Sequence, residues 1–511
     1  MISPELALPL SLAFPLVGFV AIWLLDKRPN WREAATLATA VVLLALAIVV
    51  FQAVGAGARP AYVLFEVVSG LPIAFEAEPL GAMFGLVASG LWLVNSLYSI
   101  GYMRGHGEKH QTRFYMCFAI AIAAAMGVAY AANLFTLFIF YEVLTLSTYP
   151  LVTHKGDAKA RHGGRVYLGV LMATSIGLLL PAIAWTYAIA GSTDFAPGGL
   201  LSAHAEAARP VLGLLLALYA FGVGKAALMP VHPWLPNAMV APTPVSAFLH
   251  AVAVVKAGVF SILKIVVYVF GVDFLHETGA SAPFVWIAGG SILLASAIAM
   301  HKDNLKARLA YSTVSQLSYV TLGAMLAVSA GVMGGALQIA AHALGKMTLF
   351  MCAGAIMVAA HKEKVSELRG LGRTMPITFV CFFIGAVSIV GVPPLAGSWP
   401  KFFLMLGAAD AGQIAMIGVL MLSSLLNVVY LLSIPAVAFL KPAKGADAPL
   451  EKEWYAGPLY DGRNALPRDP VKEAPPFCLI PIILTATGAI VLFFFSGALY
   501  DYLLPLTETG R

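Results

Sequence analysis

Apolar runs of about twenty residues recur along the whole chain, and no soluble core can bury so many at once. A hydrocarbon layer is crossed by helices because lipid offers backbone N–H and C=O groups no partner. Fourteen runs can be read in the 511 residues. They lie near 6–25, 33–53, 79–103, 113–130, 132–153, 166–191, 210–240, 244–270, 283–300, 307–328, 333–360, 376–408, 412–440 and 477–499. The seventh and twelfth contain prolines that no regular helix carries through. The expected fold is therefore an all-α integral membrane protein of about fourteen transmembrane helices. Composition agrees: 60% of residues are hydrophobic and 11% charged, against about a quarter charged in a soluble domain. No basic stretch precedes Leu6–Leu25, which reads as an uncleaved span. Segment 54–78, with AYVLFEVV, is expected to form a small hairpin outside the membrane.

Basic residues orient the spans. Of 31 Lys/Arg, 23 fall in loops 26–32, 104–113, 154–165, 301–308, 361–373 and 441–472, all on one face of a fourteen-span chain. The other face holds Arg59, Arg209 and Arg511. By the positive-inside rule the basic face is cytoplasmic and both termini lie outside. The net charge of +6 thus belongs to loops and is no nucleic-acid signal. Four cysteines stand far apart without ligand spacing, so no disulfide framework, metal site or cofactor is expected.

Five basic residues remain inside predicted spans: Lys225, Lys256, Lys264, Lys346 and Lys401. Among 25 acids, Glu142 alone lies deep in one. Ionisable groups at that depth mark ion paths more often than anchors. Lys225 precedes Pro230, where its helix is expected to break, and Lys401 follows Gly391-Val392-Pro393-Pro394. Neutralising a carbonyl end or snorkelling to a headgroup is the plainer role for either. For Lys225, well inside its span, snorkelling is awkward. Lys264 lies near the outer end of a straight eighth span, where snorkelling suffices, and it stands outside the site. His250 and Lys256, six apart on a helix, are about 9 Å apart along the axis and on different faces. Water would have to fill that gap. His342 and Lys346 share one face, and such a histidine can carry a proton. No cluster of carboxylates or cysteines favours a metal on these histidines. Glu142 serves as a lysine's counter-ion, whether structural or controlling. Hydroxyl residues in LTLSTYPLV (144–152) and YSTVSQLSYV (311–320) suit a hydrated channel or close helix packing equally, and no role is assigned to them.

The plan of spans four to eight recurs in nine to thirteen, each unit containing a broken helix. Five spans per unit force opposite orientations, as in inverted repeats. The expected divisions are 1–110, 111–270 (first half-channel repeat), 280–440 (second, inverted), a cytoplasmic loop at 441–476, and 477–511 with the last helix.

The motifs YEVLTLSTYPLV, GKAALMPVHPWLPNAM, PTPVSAFLHAVAVVKAG, AYSTVSQLSYV, HALGKMTLF and GVPPLAGSWPKFF, over about 110–410, carry a resemblance. The chain resembles the antiporter-like subunits of respiratory complex I, Mrp-type sodium/proton antiporters and membrane-bound hydrogenases. That resemblance implies two inverted half-channels and gives roles to single residues. It puts the controlling glutamate on Glu142 and the broken-helix lysine on Lys225. The central relay falls on His250, Lys256, His342 and Lys346, and the terminal residue on Lys401. Lysine rather than glutamate at 401 looks like the Mrp D-type branch. Asn237, where many relatives have aspartate, and Pro400, directly before Lys401, depart from the pattern.

The expected function is that of a proton-translocating subunit of a multisubunit inner-membrane complex, most like Mrp-type Na+/H+ antiport. Its partners would be other membrane subunits, protons and Na+, with the lipid bilayer around it. The chain shows no redox or hydrolytic site of its own, so a partner or an ion gradient must supply the energy. The rivals are the pumping subunit of a complex I-like oxidoreductase or hydrogenase, and the membrane subunit of an inorganic-carbon uptake complex. A self-sufficient transporter of an organic solute and a purely structural scaffold are the readings from other classes. The topology is directly testable. A single cysteine engineered in 441–475 should resist impermeant thiol reagents applied outside intact cells, and labelling there would overturn the orientation.

Overall fold

The computed structural model describes residues 2–68, 70–441 and 471–507. Most of the expected loop 441–476 lies outside the described residues, and so do the side chains of 249–251, including that of His250. Among the described residues, eleven helices are long and apolar enough to cross a membrane, or twelve counting one bent pair.

Helices α1 (Pro4–Leu24) and α2 (Pro29–Gly55) lead into a hairpin of β1 (Ala61–Val68) and β2 (Leu71–Glu76), where the sequence predicts one. Then follow α3 (Pro79–Gly105), α4 (Gln111–Ala129), α5 (Leu134–Val152), α6 (Ala158–Ala190) and α7 (Leu212–Gly222). Side-chain caps fix several starts: Glu78 for α3, Asn133 for α5 and Asp157 for α6 each accept a backbone N–H of the first turn.

Beyond α7 the structure corrects two expectations. The helix ends at Gly222, ahead of Lys225 rather than near Pro230, and the lysine lies within the break on the 3-10 turn Gly224–Ala226. Gly222 presses against the backbone of Leu179 and Gly224 against Thr174, contacts that leave no space for side chains. The eighth span is also interrupted: α8 (Thr243–Ala251) ends before α9 (Val254–Phe270) begins. His250 and Lys256 therefore sit on separate helices, and their expected helical spacing does not apply. A short helix, Val272–Thr278, bends away from α9 by 79°.

The remaining helices are α10 (Ala282–His301), α11 (Leu305–Met325), α12 (Ser329–Ala360), α13 (Pro376–Val390), α14 (Ser398–Asp410), α15 (Ile414–Leu440) and α16 (Pro476–Leu503). Three predicted spans fall short of the eleven: the eighth, which enters only through the bent pair; α11, which is polar along one side; and the split pair α13–α14. The twelfth-span break lies where the sequence puts it, opening at Gly391 with φ +85°. Pro400 falls in the first turn of α14, where a missing N–H costs nothing. The 32-residue α12 is the central element, touching α3, α8, α9, α11, α13, α14 and α16. π-helical turns interrupt α6 at Ser175–Leu179, close α9 at Val266–Phe270 and interrupt α15 at Val428–Leu432.

Gly258 of α9 lies directly on the backbone of Lys225–Ala226, leaving no room for a β-carbon. Overpacking of this kind costs about 1–3 kcal/mol. Gly258→Val should therefore lower the melting temperature of the detergent-solubilised protein, and an unchanged value would show that the lysine turn moves freely.

Candidate functional site

Lys225 is fully buried, and its ammonium is held by atoms of α5. Nζ donates to the Tyr141 carbonyl (2.6 Å) and to Thr145 Oγ1 (2.6 Å), and lies 3.1 Å from the centre of the Tyr141 ring. The Tyr141 hydroxyl in turn accepts the Lys225 backbone N–H at 2.9 Å. Glu142, next to Tyr141 on α5, acts on Lys225 through space. Neither of its carboxylate oxygens has a hydrogen-bond partner among the described residues. The two groups thus interact electrostatically without forming a direct ion pair.

Lys401 repeats this arrangement in the other broken segment. Its Nζ donates to the Val390 carbonyl at the end of α13 (2.7 Å) and to Ser424 Oγ (2.8 Å), and it lies 5.2 Å from the Tyr319 ring. Its aliphatic stem rests on Gly391. A backbone carbonyl, a hydroxyl and a tyrosine face surround both ammonium groups. At Lys401 the break supplies that carbonyl, because Val390 ends α13, where carbonyls lack intrahelical donors, whereas the Tyr141 carbonyl lies within the continuous α5.

Two further lysines, Lys256 on α9 and Lys346 on α12, are both fully buried. Lys346 donates to the Leu309 carbonyl at 3.2 Å, whereas Lys256 Nζ has no hydrogen-bond partner among the described residues. The two are close enough for the charge on Lys256 to act on Lys346. His342, one turn before Lys346, is 1% exposed. Of the seven residues singled out by sequence, the structure buries the four lysines and His342 and sets Glu142 beside the first lysine. The His250 side chain lies outside the described residues.

Lys264 corrects the sequence reading. It is 1% exposed and does not snorkel. Its ammonium lies 3.3 Å from Glu78 Oε1 and donates to the Ala131 carbonyl at 2.8 Å. Glu78 also caps α3 and accepts from the Tyr268 hydroxyl at 3.2 Å. A second carboxylate is therefore buried beside a lysine. Its signal was local: a glutamate directly before Pro79 at a helix start is a cap.

These features define a multi-pass membrane protein with several buried cationic side chains. The chain belongs to the NADH:quinone oxidoreductase/Mrp antiporter transmembrane family, whose model matches residues 131–427. It is 31% identical to the NADH-quinone oxidoreductase subunit N of Desulforudis audaxviator, over 83% of this chain and 81% of that one. Its fold is similar to a chain of the Mrp complex from Dietzia sp. DQ12-45-1b, with a TM-score of 0.81, 23% identity and coverage of 98% and 97%. It is likewise similar to a chain of an archaeal membrane-bound sulfane sulfur reductase, with a TM-score of 0.83, 21% identity and coverage of 99% and 97%. The chain is an antiporter-like membrane subunit of this complex I/Mrp superfamily.

The Glu78–Lys264 pair yields a prediction. Removing one partner of a buried ion pair costs about 3–5 kcal/mol, because a lone charge stays buried. Lys264→Met should sharply reduce the amount of folded chain in the membrane, and adding Glu78→Gln should restore part of it. Equal loss in the single and double variants would mean that the pair is uncoupled.

Proposed function

We propose that this chain moves protons for a multisubunit complex of the bacterial inner membrane, and that the complex exchanges Na+ for H+ in the Mrp manner. The observation that carries this reading is the matched pair of lysine sites in the two broken segments, together with the burial of Lys256, His342 and Lys346. Buried groups that exchange protons, set near helix interruptions, are what a translocation path requires. A proton loads Lys225 under the influence of Glu142, passes laterally by His250/Lys256 and His342/Lys346, and reaches Lys401. The likeness of the two sites supports a pair of inverted repeats in a fourteen-span chain, with the basic loops in the cytoplasm and both termini outside. Lysine at 401 favours the Mrp D-type branch.

The second reading is redox-driven pumping. It draws support from the likeness to the subunit N relative, and the two differ in what energises the path. Moving a charge across about 100 mV involves about 2.3 kcal/mol, supplied by a cation gradient in one case and by electron transfer in the other. Purified intact complex in proteoliposomes separates them. An imposed Na+ gradient should change the internal pH without electron donors; a pH change that needs a donor and acceptor instead would establish the pumping reading.

In the same vesicles, Glu142→Gln and Lys225→Ala should each cut transport at least tenfold per assembled complex. Glu142→Asp should cut it less, since it keeps the charge and loses reach. Near-normal rates in both of the first two variants would show that the pair is structural.

A further inference from the structure

On the basic-loop face, four stretches that are distant in sequence close around a cavity of about 590 Å3. They are the turn into α6, the segment 236–243 before α8, the start of α11, and the end of α12 with the loop behind it. The cavity is lined by Lys155, Lys159, Lys306, Lys362 and His162. Lys155, Lys159 and Lys362 are exposed, whereas Lys306 is half-buried and donates from Nζ to the Ala241 carbonyl at 2.7 Å. The charges of Lys155 and Lys159 reach Lys306, and those of Glu363 and Glu108 oppose them. Neither acid closes on a lysine: among the described residues, no carboxylate forms an ion pair with any of these four. Asp157, the other acid of the wall, is committed elsewhere, since its Oδ1 caps α6 by accepting the Ala160 N–H at 2.6 Å.

Three helices also begin at this wall: α6 behind Asp157, α8 at Thr243 and α11 behind Asn304. Helix starts carry partial positive charge, which adds to that of the lysines. The inner wall is buried and mostly apolar, with Tyr102, Met239 and Ala353. Basic loop residues that orient the spans are the plainer explanation. Orientation requires them on one face, but it does not require four segments to gather them around one cavity. Like charges held together disfavour one another, and the protein supplies no counter-charge at ion-pair distance. An anion in the cavity removes that cost. Basic pockets between membrane helices bind phosphate headgroups on this principle.

We propose that this cavity binds a multiply charged phosphate group, borne by an anionic phospholipid or by a small soluble phosphate. Lys306, fixed by the Ala241 carbonyl, is the inner charge, and Lys155, Lys159 and Lys362 are the outer ones. The wall comes from α6 and α8 on one side and from α11 and α12 on the other. A bound phosphate therefore ties the two expected five-helix units together at the basic face. The site stands apart from the proton-translocation reading and uses none of its residues.

The test uses the purified intact complex in nanodiscs. In phosphatidylcholine discs, radiolabelled pyrophosphate should bind saturably and more weakly as salt rises. Lys155→Gln/Lys159→Gln, at two exposed positions where folding is unaffected, should weaken binding at least tenfold. Lys306→Gln should weaken it as well. Asn237→Asp, which sets a negative charge in the wall at nearly constant size, should do the same, while Lys159→Arg should keep native affinity. Discs of mixed phosphatidylcholine and phosphatidylglycerol separate the sources, read by mass spectrometry of the released complex. Phosphatidylglycerol retained by the native chain and lost in Lys155→Gln/Lys159→Gln assigns the site to a headgroup. Pyrophosphate binding without selective lipid retention assigns it to a soluble phosphate. If neither probe binds, or if both bind the native complex and the lysine variants alike, the proposal falls. Transport is not the readout, so that failure leaves the proton-translocation reading where it stands.

Discussion

Everything in this structure follows from the difficulty of placing an ammonium group where there is no water. A charged amine in hydrocarbon needs oxygen atoms around it, and a regular helix offers few because most of its carbonyl lone pairs face its own donors. Breaking the helix releases them. Lys401 takes the last carbonyl of α13, and Lys225 reaches a carbonyl of α5 from within its own break. At Lys401 the break thus frees the carbonyl the lysine bonds, while at Lys225 it sets the lysine against Tyr141 and Thr145 of the intact α5.

The same constraint explains the tyrosines. A ring face offers negative charge density without a competing proton acceptor, so it stabilises an ammonium group while leaving its proton mobile. A carboxylate in direct contact would hold the proton more tightly. Glu142 acts on Lys225 without bonding it, which suits the controlling role proposed for it. Glu78, bonded to Lys264, to two backbone N–H groups and to Tyr268, is committed to structure. Two carboxylates near two lysines thus have different standing, set by how many donors each satisfies.

Much of this was legible in the sequence. Apolar runs mark the helices, and prolines with Gly391 mark both broken segments. Burial of Lys225, Lys256, Lys346 and Lys401 follows from their depth within apolar runs. What escaped depends on contacts between distant segments. The interruption between α8 and α9 carries no proline or glycine in AVAVV. The end of α7 falls at Gly222, which lies against the backbone of α6 at Leu179. Lys264 resembles a snorkelling residue until Glu78 arrives from the start of α3. The hydroxyl residues of α11 were visible as a pattern, but only α10 and α15 show what they face.

The length of α12 has a consequence of its own. Thirty-two residues of helix extend about 48 Å, well beyond a hydrocarbon core of about 30 Å. Such a helix tilts or projects into the headgroups, and the degree of tilt depends on bilayer thickness. Because α12 bears His342 and Lys346 and touches helices of both expected halves, its inclination sets where these two side chains stand relative to α9. Lipid composition thereby becomes a mechanical input: a thinner or thicker membrane alters the spacing of α9 and α12, and with it the relay proposed for Lys256 and Lys346.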